Sequence, residues 1–446
     1  MELKKIQENK FGTILQFSIP AIISMILTAL ITVTDGYFAG NYIEKNAIAA
    51  INLGLPIVYL YLGLGLMLAV GGSVIAGIAL GACEKEKCLT TFNQTIVVTA
   101  IVSLFISVVL TICFGGVMRL LGVENCLENY FRDYYQILLW ELPIMILCNA
   151  LGMFIRGEGN PQFFMATSIF NVLSNVILDY VFVGRPGYGI KGIAYASLLT
   201  GAVSLLLLLC YILFWSKVYK FCRFRFDAVA FRNTIFNGSS EFIGEMSMCI
   251  TMYAYNIVIL KNVGVDGVTA FTIVGYVSYL FSMIIVGFGQ GCVPLLSFVH
   301  GAGDRFTELA IRRLTNLCVL LCGIVLIVLM FFLATPYSHA FVDSIEIQQM
   351  VAFGTRIHVL SFLFAGINTI ASFYFTSISK AKESAIISFL RGILILLICI
   401  LTLPHFFGMT GVWLIAPINE AVTVIVSILF LLVNDRSCKL QDKIVT

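Results

Sequence analysis

The stretch Phe17-Ser-Ile-Pro-Ala-Ile-Ile-Ser-Met-Ile-Leu-Thr-Ala-Leu-Ile-Thr-Val-Thr-Asp35-Gly-Tyr-Phe38 decides the fold. Its apolar and small hydroxyl side chains run long enough to cross the ~30 Å hydrocarbon core of a bilayer as one helix. Pro20 stands about four helical turns before the single charge, Asp35. A carboxylate in such a span costs on the order of 2.5–3.5 kcal/mol on insertion scales. Asp35 is therefore expected to face protein or water and to mark an ion or substrate path.

The remainder of the chain repeats this pattern. Of 446 residues, 60% are hydrophobic and 11% charged, with a mean hydropathy of +0.99. Soluble domains carry roughly 25% charged residues, so the chain is read as an integral membrane protein. Its opening apolar stretch is too long for a signal peptide and is expected to stay as the first span. The net charge of +3 is small, and the basic residues sit in short loops, so no nucleic-acid partner is expected. There is no GxxxxGK[S/T] loop for ATP. The four His are widely spread and give neither a metal cluster nor a catalytic constellation, so neither an enzyme nor a cofactor is expected. The 13 Cys lie mostly in apolar runs and read as buried small hydrophobes.

Apolar runs of helical period place spans at about 13–36, 47–80, 91–118, 130–155, 163–183 and 190–214. A second set follows at about 233–260, 267–299, 308–333, 348–378, 384–404 and 409–433. With the N-terminus inside, 19 of the 27 Lys and Arg fall in inner loops and six in outer ones: Lys45, Arg119, Arg132, Arg185, Lys191 and Lys261. Arg356 and Arg391 fall within spans. The bias puts both termini in the cytoplasm. The polar segment 215–232 divides two halves, 1–214 and 233–433, with a tail at 434–446. Asp35 aligns with Asn256 and Ala47 with Val268, 221 residues on, Gly81-Ala82 with Gly301-Ala302 and Gly192 with Gly411 at nearly the same offset. Six spans per half is an even number, so the repeats run in the same sense about an axis along the membrane normal. The expected fold is an all-α membrane protein of twelve transmembrane helices in two pseudo-symmetric six-helix lobes around a central cleft.

These residues also resemble a known family. Pro20 and Asp35 have the spacing of the multidrug and toxic compound extrusion (MATE) transporters. Gly63-Leu-Gly-Leu-Met-Leu-Ala-Val-Gly-Gly-Ser73 with Ala79-Leu-Gly-Ala82, and Gly287-Phe-Gly-Gln-Gly291 with His300-Gly-Ala-Gly303, resemble that family's duplicated signature. Phe154-Ile-Arg-Gly-Glu-Gly-Asn-Pro161, Asn175-Val-Ile-Leu-Asp179 and Gly189-Ile-Lys-Gly-Ile-Ala-Tyr-Ala-Ser197 resemble its fourth-loop, fifth-span and sixth-span patterns. The likeness runs from about residue 11 to 433.

The resemblance implies a secondary antiporter exporting amphipathic, often cationic small molecules from the cell membrane of a prokaryote in exchange for H+ or Na+, as a monomer among lipids. A lipid-linked saccharide flippase of similar lobes is the alternative; it would favour cationic residues in the cleft, whereas the mid-span charges here are mostly acidic. The resemblance assigns ion coupling to Asp35, Asn175 and Asp179, with Ser197 and Tyr134 alongside. Two carboxylates in one dry pocket cannot both ionise cheaply, so Asp35 and Asp179 can share a proton. Alternatively, Asp35, Asn175 and Asp179 form an oxygen cage for Na+. Pro20 lacks a backbone N–H and lets the first helix bend, a bend expected to respond to protonation of Asp35. Further cleft candidates are Glu141, ahead of Pro143 in the fourth span, Glu245 in the seventh, Asn256 and Asn368. The chain departs from family members that use second-lobe acids, since its tenth span has no carboxylate and offers Asn368. Glu420 is expected to pair with Arg391 or Arg356.

Overall fold

The computed structural model describes residues 2–183 and 188–445. Arg185, one of the six basic residues assigned to outer loops, lies outside the described residues. Among these the chain is helical, without strands. The spans are α1 Lys10–Ile43, α2 Asn46–Gly81, α3 Lys85–Ile112, α4 Asn125–Glu158, α5 Pro161–Val183, α6 Gly189–Trp215, α7 Ala228–Lys261, α8 Val265–Gly301, α9 Arg305–Phe341 and α10 Ile345–Ser377. The next helical segment, Ala381–Arg436, has 56 residues and would be about 84 Å long if straight. It breaks at Gly408, whose φ of 56° belongs to the left-handed region that glycine enters freely. A methyl group on Gly411 would stand 2.2 Å from the Leu403 carbonyl oxygen, so the turn closes as a tight hairpin. The two arms are α11 (381–407) and α12 (409–436), giving twelve crossings among the described residues.

Some ends differ from expectation. α3 begins at Lys85 rather than 91, because Lys and Glu are good helix formers and carry the helix into water. It stops at Ile112, and Phe114–Leu120 forms a separate short helix. The inter-lobe linker is shorter than 215–232: Asp227 caps α7 by accepting from the backbone N–H groups of Val229 and Ala230, at 2.9 and 3.0 Å. The linker is strapped to the first lobe. Asn93 receives the Cys222 N–H and donates to the Lys220 carbonyl, and Gln94 makes the same two-way contact with the Asp227 backbone. Glu158 takes the Ser216 hydroxyl at 2.6 Å and the Val218 N–H at 3.2 Å. Tyr219 is buried against Phe92 and Phe154. All described cysteines are free, and Cys83, Cys113, Cys126 and Cys222 are exposed rather than buried, because they lie in or beside loops.

Helices α1–α6 and α7–α12 form the two lobes. Across the seam α2 packs on α7 and α8, and α1 on α8. Backbone touches backbone there. A methyl group on Gly238 would stand 1.9 Å from the Met67 carbonyl oxygen, and one on Gly71 2.1 Å from that of Thr234. Gly81 and Gly301 meet the Phe298 and Ile78 carbonyls in the same way, each at 2.0 Å. Small residues let helices approach this closely in lipid, where packing rather than hydrophobicity drives association. Arg156, 2% exposed, crosses the same seam and donates from Nη1 to Gln290 Oε1 at 3.2 Å. These contacts cluster toward the helix ends that carry the basic loops. Farther along α1, α7 and α8, Gly36, Gly244 and Gly275 meet nothing within 4 Å. The lobes thus touch at one end and part at the other.

Candidate functional site

A cavity lies inside the first lobe. It measures about 320 Å³ and is walled by α1, α2, α4, α5 and α6. Asp35, Tyr134, Glu141, Asn175 and Ser197 all line it, so residues spread over 163 positions of sequence converge on one space. Asp179 stands next to them, fully buried.

Helix periodicity builds the polar wall. Asn171, Asn175 and Asp179 recur at i, i+4 and i+8 and so share one face of α5. Ser197 and Ser204, two turns apart, present the matching face of α6. Asn171 Nδ2 donates to Ser204 Oγ at 2.8 Å, and Asn175 Nδ2 to Ser197 Oγ at 3.3 Å. The Asn171–Ser204 rung was missed from sequence, although the four-residue spacing back from Asn175 signals it.

The carboxyl groups of Asp35 and Asp179 meet within hydrogen-bonding reach. No other described residue donates to them: Asp35 Oδ1, both Asp179 oxygens and Asn175 Oδ1 are buried acceptors without a donor. Each such group typically costs about 1–3 kcal/mol. Such a set of buried acceptors is chemically incomplete, and a proton or a hard cation would complete it. Two carboxyls in contact need a proton between them, while the Asn175 oxygen adds a neutral ligand suited to a hard cation. Tyr134 lies alongside both aspartates.

The second-lobe candidates stand elsewhere. Asn256 is exposed on α7. Glu245 sits in the seam, beside Tyr59 of α2 and Tyr279 of α8. Asn368 is fully enclosed and its amide is occupied: Nδ2 donates to Glu420 Oε2 at 2.7 Å, and Oδ1 accepts from Ser427 at 2.8 Å. Arg391 Nε reaches Glu420 Oε1 at 2.6 Å and its Nη1 reaches Thr369 at 2.7 Å. Glu420 therefore pairs with Arg391. Arg356 instead bonds Thr335 and the Phe331 carbonyl. Pro20 is buried in α1, where Ser24 Oγ donates to its carbonyl at 2.9 Å.

The MatE family profile matches the chain twice, at residues 20–181 and 242–401, in register with the internal repeat. The multidrug export protein MepA of Staphylococcus saprophyticus subsp. saprophyticus is 23% identical over 438 residues, covering 96% of this chain and 95% of the relative. MepA of Staphylococcus aureus strain MSSA476 is 23% identical over 435 residues, covering 96% and 94%. Among solved structures, the outward-facing conformation of a multidrug resistance MATE family transporter of the MOP superfamily superposes with a TM-score of 0.90 at 21% identity, over 96% of both chains. A MATE crystal structure in the bent conformation gives 0.90 over 97% of both. At this identity the likeness to the structures is one of fold.

Proposed function

The chain belongs to the MatE family, and from that premise we propose that it is a secondary multidrug antiporter, exporting amphipathic organic cations in exchange for entering H+. The observation that carries the reading is the Asp35–Asp179 contact, two buried carboxyls with no donor but a shared proton. A proton held there leaves the pair a single shared negative charge, and its loss leaves two charges side by side, which the apolar surroundings disfavour. The pair therefore biases the lobes between two states that differ in its access to water. Pro20 leaves the Gln16 carbonyl without its helical donor, so α1 can bend where it crosses α8. The basic residues flank the sealed end of the seam, and by the positive-inside rule that end is cytoplasmic. The protein then opens outward, with both termini inside, as a monomer in the cell membrane.

The relatives named above export drugs, which supports small molecules as cargo. Among the described residues no Lys or Arg lines the cavity, which disfavours phosphate-bearing lipid cargo. Sodium is the second reading for the coupling ion, favoured by the orphaned Asn175 Oδ1 beside the two carboxylates.

Inside-out vesicles carrying the protein test this. They are expected to accumulate a cationic dye when an acid lumen is imposed, and the Asp35→Asn variant, still folded, is expected not to. Dye accumulation driven by a Na+ gradient alone would select the second ion. Full gradient-driven accumulation by Asp35→Asn would overturn the site, and no gradient dependence in the wild type would overturn antiport.

A further inference from the structure

Glu141 takes no part in the ion pair. It lies on α4 two turns beyond Tyr134, about 10 Å along the helix axis, and lines the same cavity. Its carboxylate accepts no hydrogen bond and forms no ion pair among the described residues. An acid at this depth without a partner is costly, and intramembrane acids commonly face a functional path. The surrounding helices leave room for it. A methyl group on Gly201 of α6 would stand 3.7 Å from Glu141 Oε1 and 4.0 Å from its Cγ. The carboxylate therefore occupies space that a side chain on α6 would otherwise fill.

The neighbourhood suits the body of an amphiphile. Met145 and Cys148 follow at i+4 and i+7 on the same face of α4, opposite Leu62 of α2 and Leu208 of α6. Polarisable sulfur and aliphatic walls adapt to varied shapes. A volume of about 320 Å³ falls in the range of small-molecule sites, which are mostly apolar with a few placed polar groups. Asp35 and Asp179 are engaged with each other, whereas Glu141 stands alone.

We propose that Glu141 anchors the positive charge of the transported molecule, so that the first-lobe cavity binds a monocationic amphiphile at a point separate from the Asp35–Asp179 ion site. This rests on the cavity being the transport site proposed above. It divides the labour among three acids in one cavity. The aspartates take the exchanged ion, and Glu141 sets the preference for cationic over neutral or anionic cargo. The low local dielectric strengthens the attraction, and nothing in the wall competes with the ligand for the carboxylate.

The test is equilibrium binding of tetraphenylphosphonium and tetraphenylborate to the purified protein without any gradient. The two probes share a shape and differ in the sign of their charge. Glu141→Gln is expected to weaken the cation by about tenfold or more, corresponding to about 1.4 kcal/mol, and to leave the anion unchanged or tighter. Glu141→Asp is expected to keep most of the cation preference. Gly201→Gln brings an amide to the carboxylate and is expected to give the same loss with the acid in place. An unchanged cation-to-anion ratio in Glu141→Gln and Gly201→Gln, or an equal loss of both probes, overturns the proposal. Failure of the antiport reading appears separately, in the vesicle assay of Asp35→Asn.

Discussion

The two lobes match the same family profile, yet their interiors have opposite characters. The first lobe is hollow at mid-membrane and leaves Asp35, Asp179 and Glu141 without cationic partners. The second is filled at the corresponding depth by Arg391, Glu420, Asn368, Ser427 and Thr369, each bonded to another. The basic ends differ in the reverse sense. In the first lobe Phe92, Phe154 and Tyr219 pack ring against ring. In the second, buried Glu308 takes Tyr374 Oη at 2.7 Å and Arg305 Nη1 at 2.9 Å, with His300 at 2.9 Å, and Arg312 grips Asp435 with two bonds of 2.8 Å. One duplicated frame thus carries buried carboxylates without cationic partners in one copy and carboxylates completed by arginines in the other. An incomplete site responds to a ligand, whereas a completed one holds its lobe rigid.

The contrast breaks most visibly at Glu308. Removing one partner of a buried charged network typically costs about 3–5 kcal/mol, because the remaining charges are left uncompensated. Glu308→Ala is therefore expected to lower thermal stability in detergent sharply, with Glu420→Ala less affected because the Glu420 side chain is 10% exposed against 0% for Glu308. A melting temperature unchanged in Glu308→Ala would mean that the second lobe is not held by this network.

The seam gives the next effect. Gly238→Val places atoms where the Met67 carbonyl already stands, and overpacking of this kind costs typically about 1–3 kcal/mol. The strain falls on the closed seam alone, so the variant is expected to shift the lobes apart at the basic end. Hydrogen exchange in segments 67–81 and 234–238 should rise while that in α5 and α6 stays unchanged. Uniform acceleration would point to general unfolding instead.

A smaller effect of opposite sign is expected at the ion pair. Asp179→Asn replaces one of the two orphaned Asp179 acceptors with a donor to Asp35, so the melting temperature is expected to rise, by about 1 kcal/mol in stability, while coupled transport is lost. A fall in stability would show that the pair is a structural element like Glu420 and Arg391.

Much of this difference was legible in the residues, and the unread part has a physical cause. The spans follow from apolar length, and the repeat offset anticipated the double family match. Asp35 with Asp179, and Glu420 with Arg391, were nameable because an intramembrane charge must find a partner or a path. Asn368 misled because an amide reads alike whether it lines a cleft or completes a network, and only the Ser427 and Glu420 contacts decide. Asn256 inherited its candidacy from the repeat, but a residue equivalent in sequence need not face an equivalent space. Besides the expected cleft where the lobes part, the first lobe holds a cavity of its own, set apart from the seam where Gly71, Gly81, Gly238 and Gly301 bring the helices into backbone contact. Gly77, one turn before Gly81, likewise meets Ser297 of α8.

The smallest effect concerns Arg156, a buried charged group that reaches from one lobe to the other. Arg156 reaches no carboxylate. Its guanidinium lies over the Phe164 ring at 4.7 Å, donates to the Gly152 carbonyl at 3.3 Å, and crosses to Gln290. The first two contacts stay within the first lobe and survive any separation of the halves, so only the Gln290 bond discriminates between a closed and an open seam. A single hydrogen bond from a charged group contributes about 1.5–3 kcal/mol, and less when other partners remain. Gln290→Leu keeps the volume and removes the acceptor, so the seam is expected to loosen by about 1 kcal/mol, visible as several-fold faster exchange at 287–301 with little change in melting temperature. Equal exchange in wild type and Gln290→Leu would assign the closure to the glycine contacts alone and leave Arg156 as a first-lobe residue whose reach across the seam carries no energy.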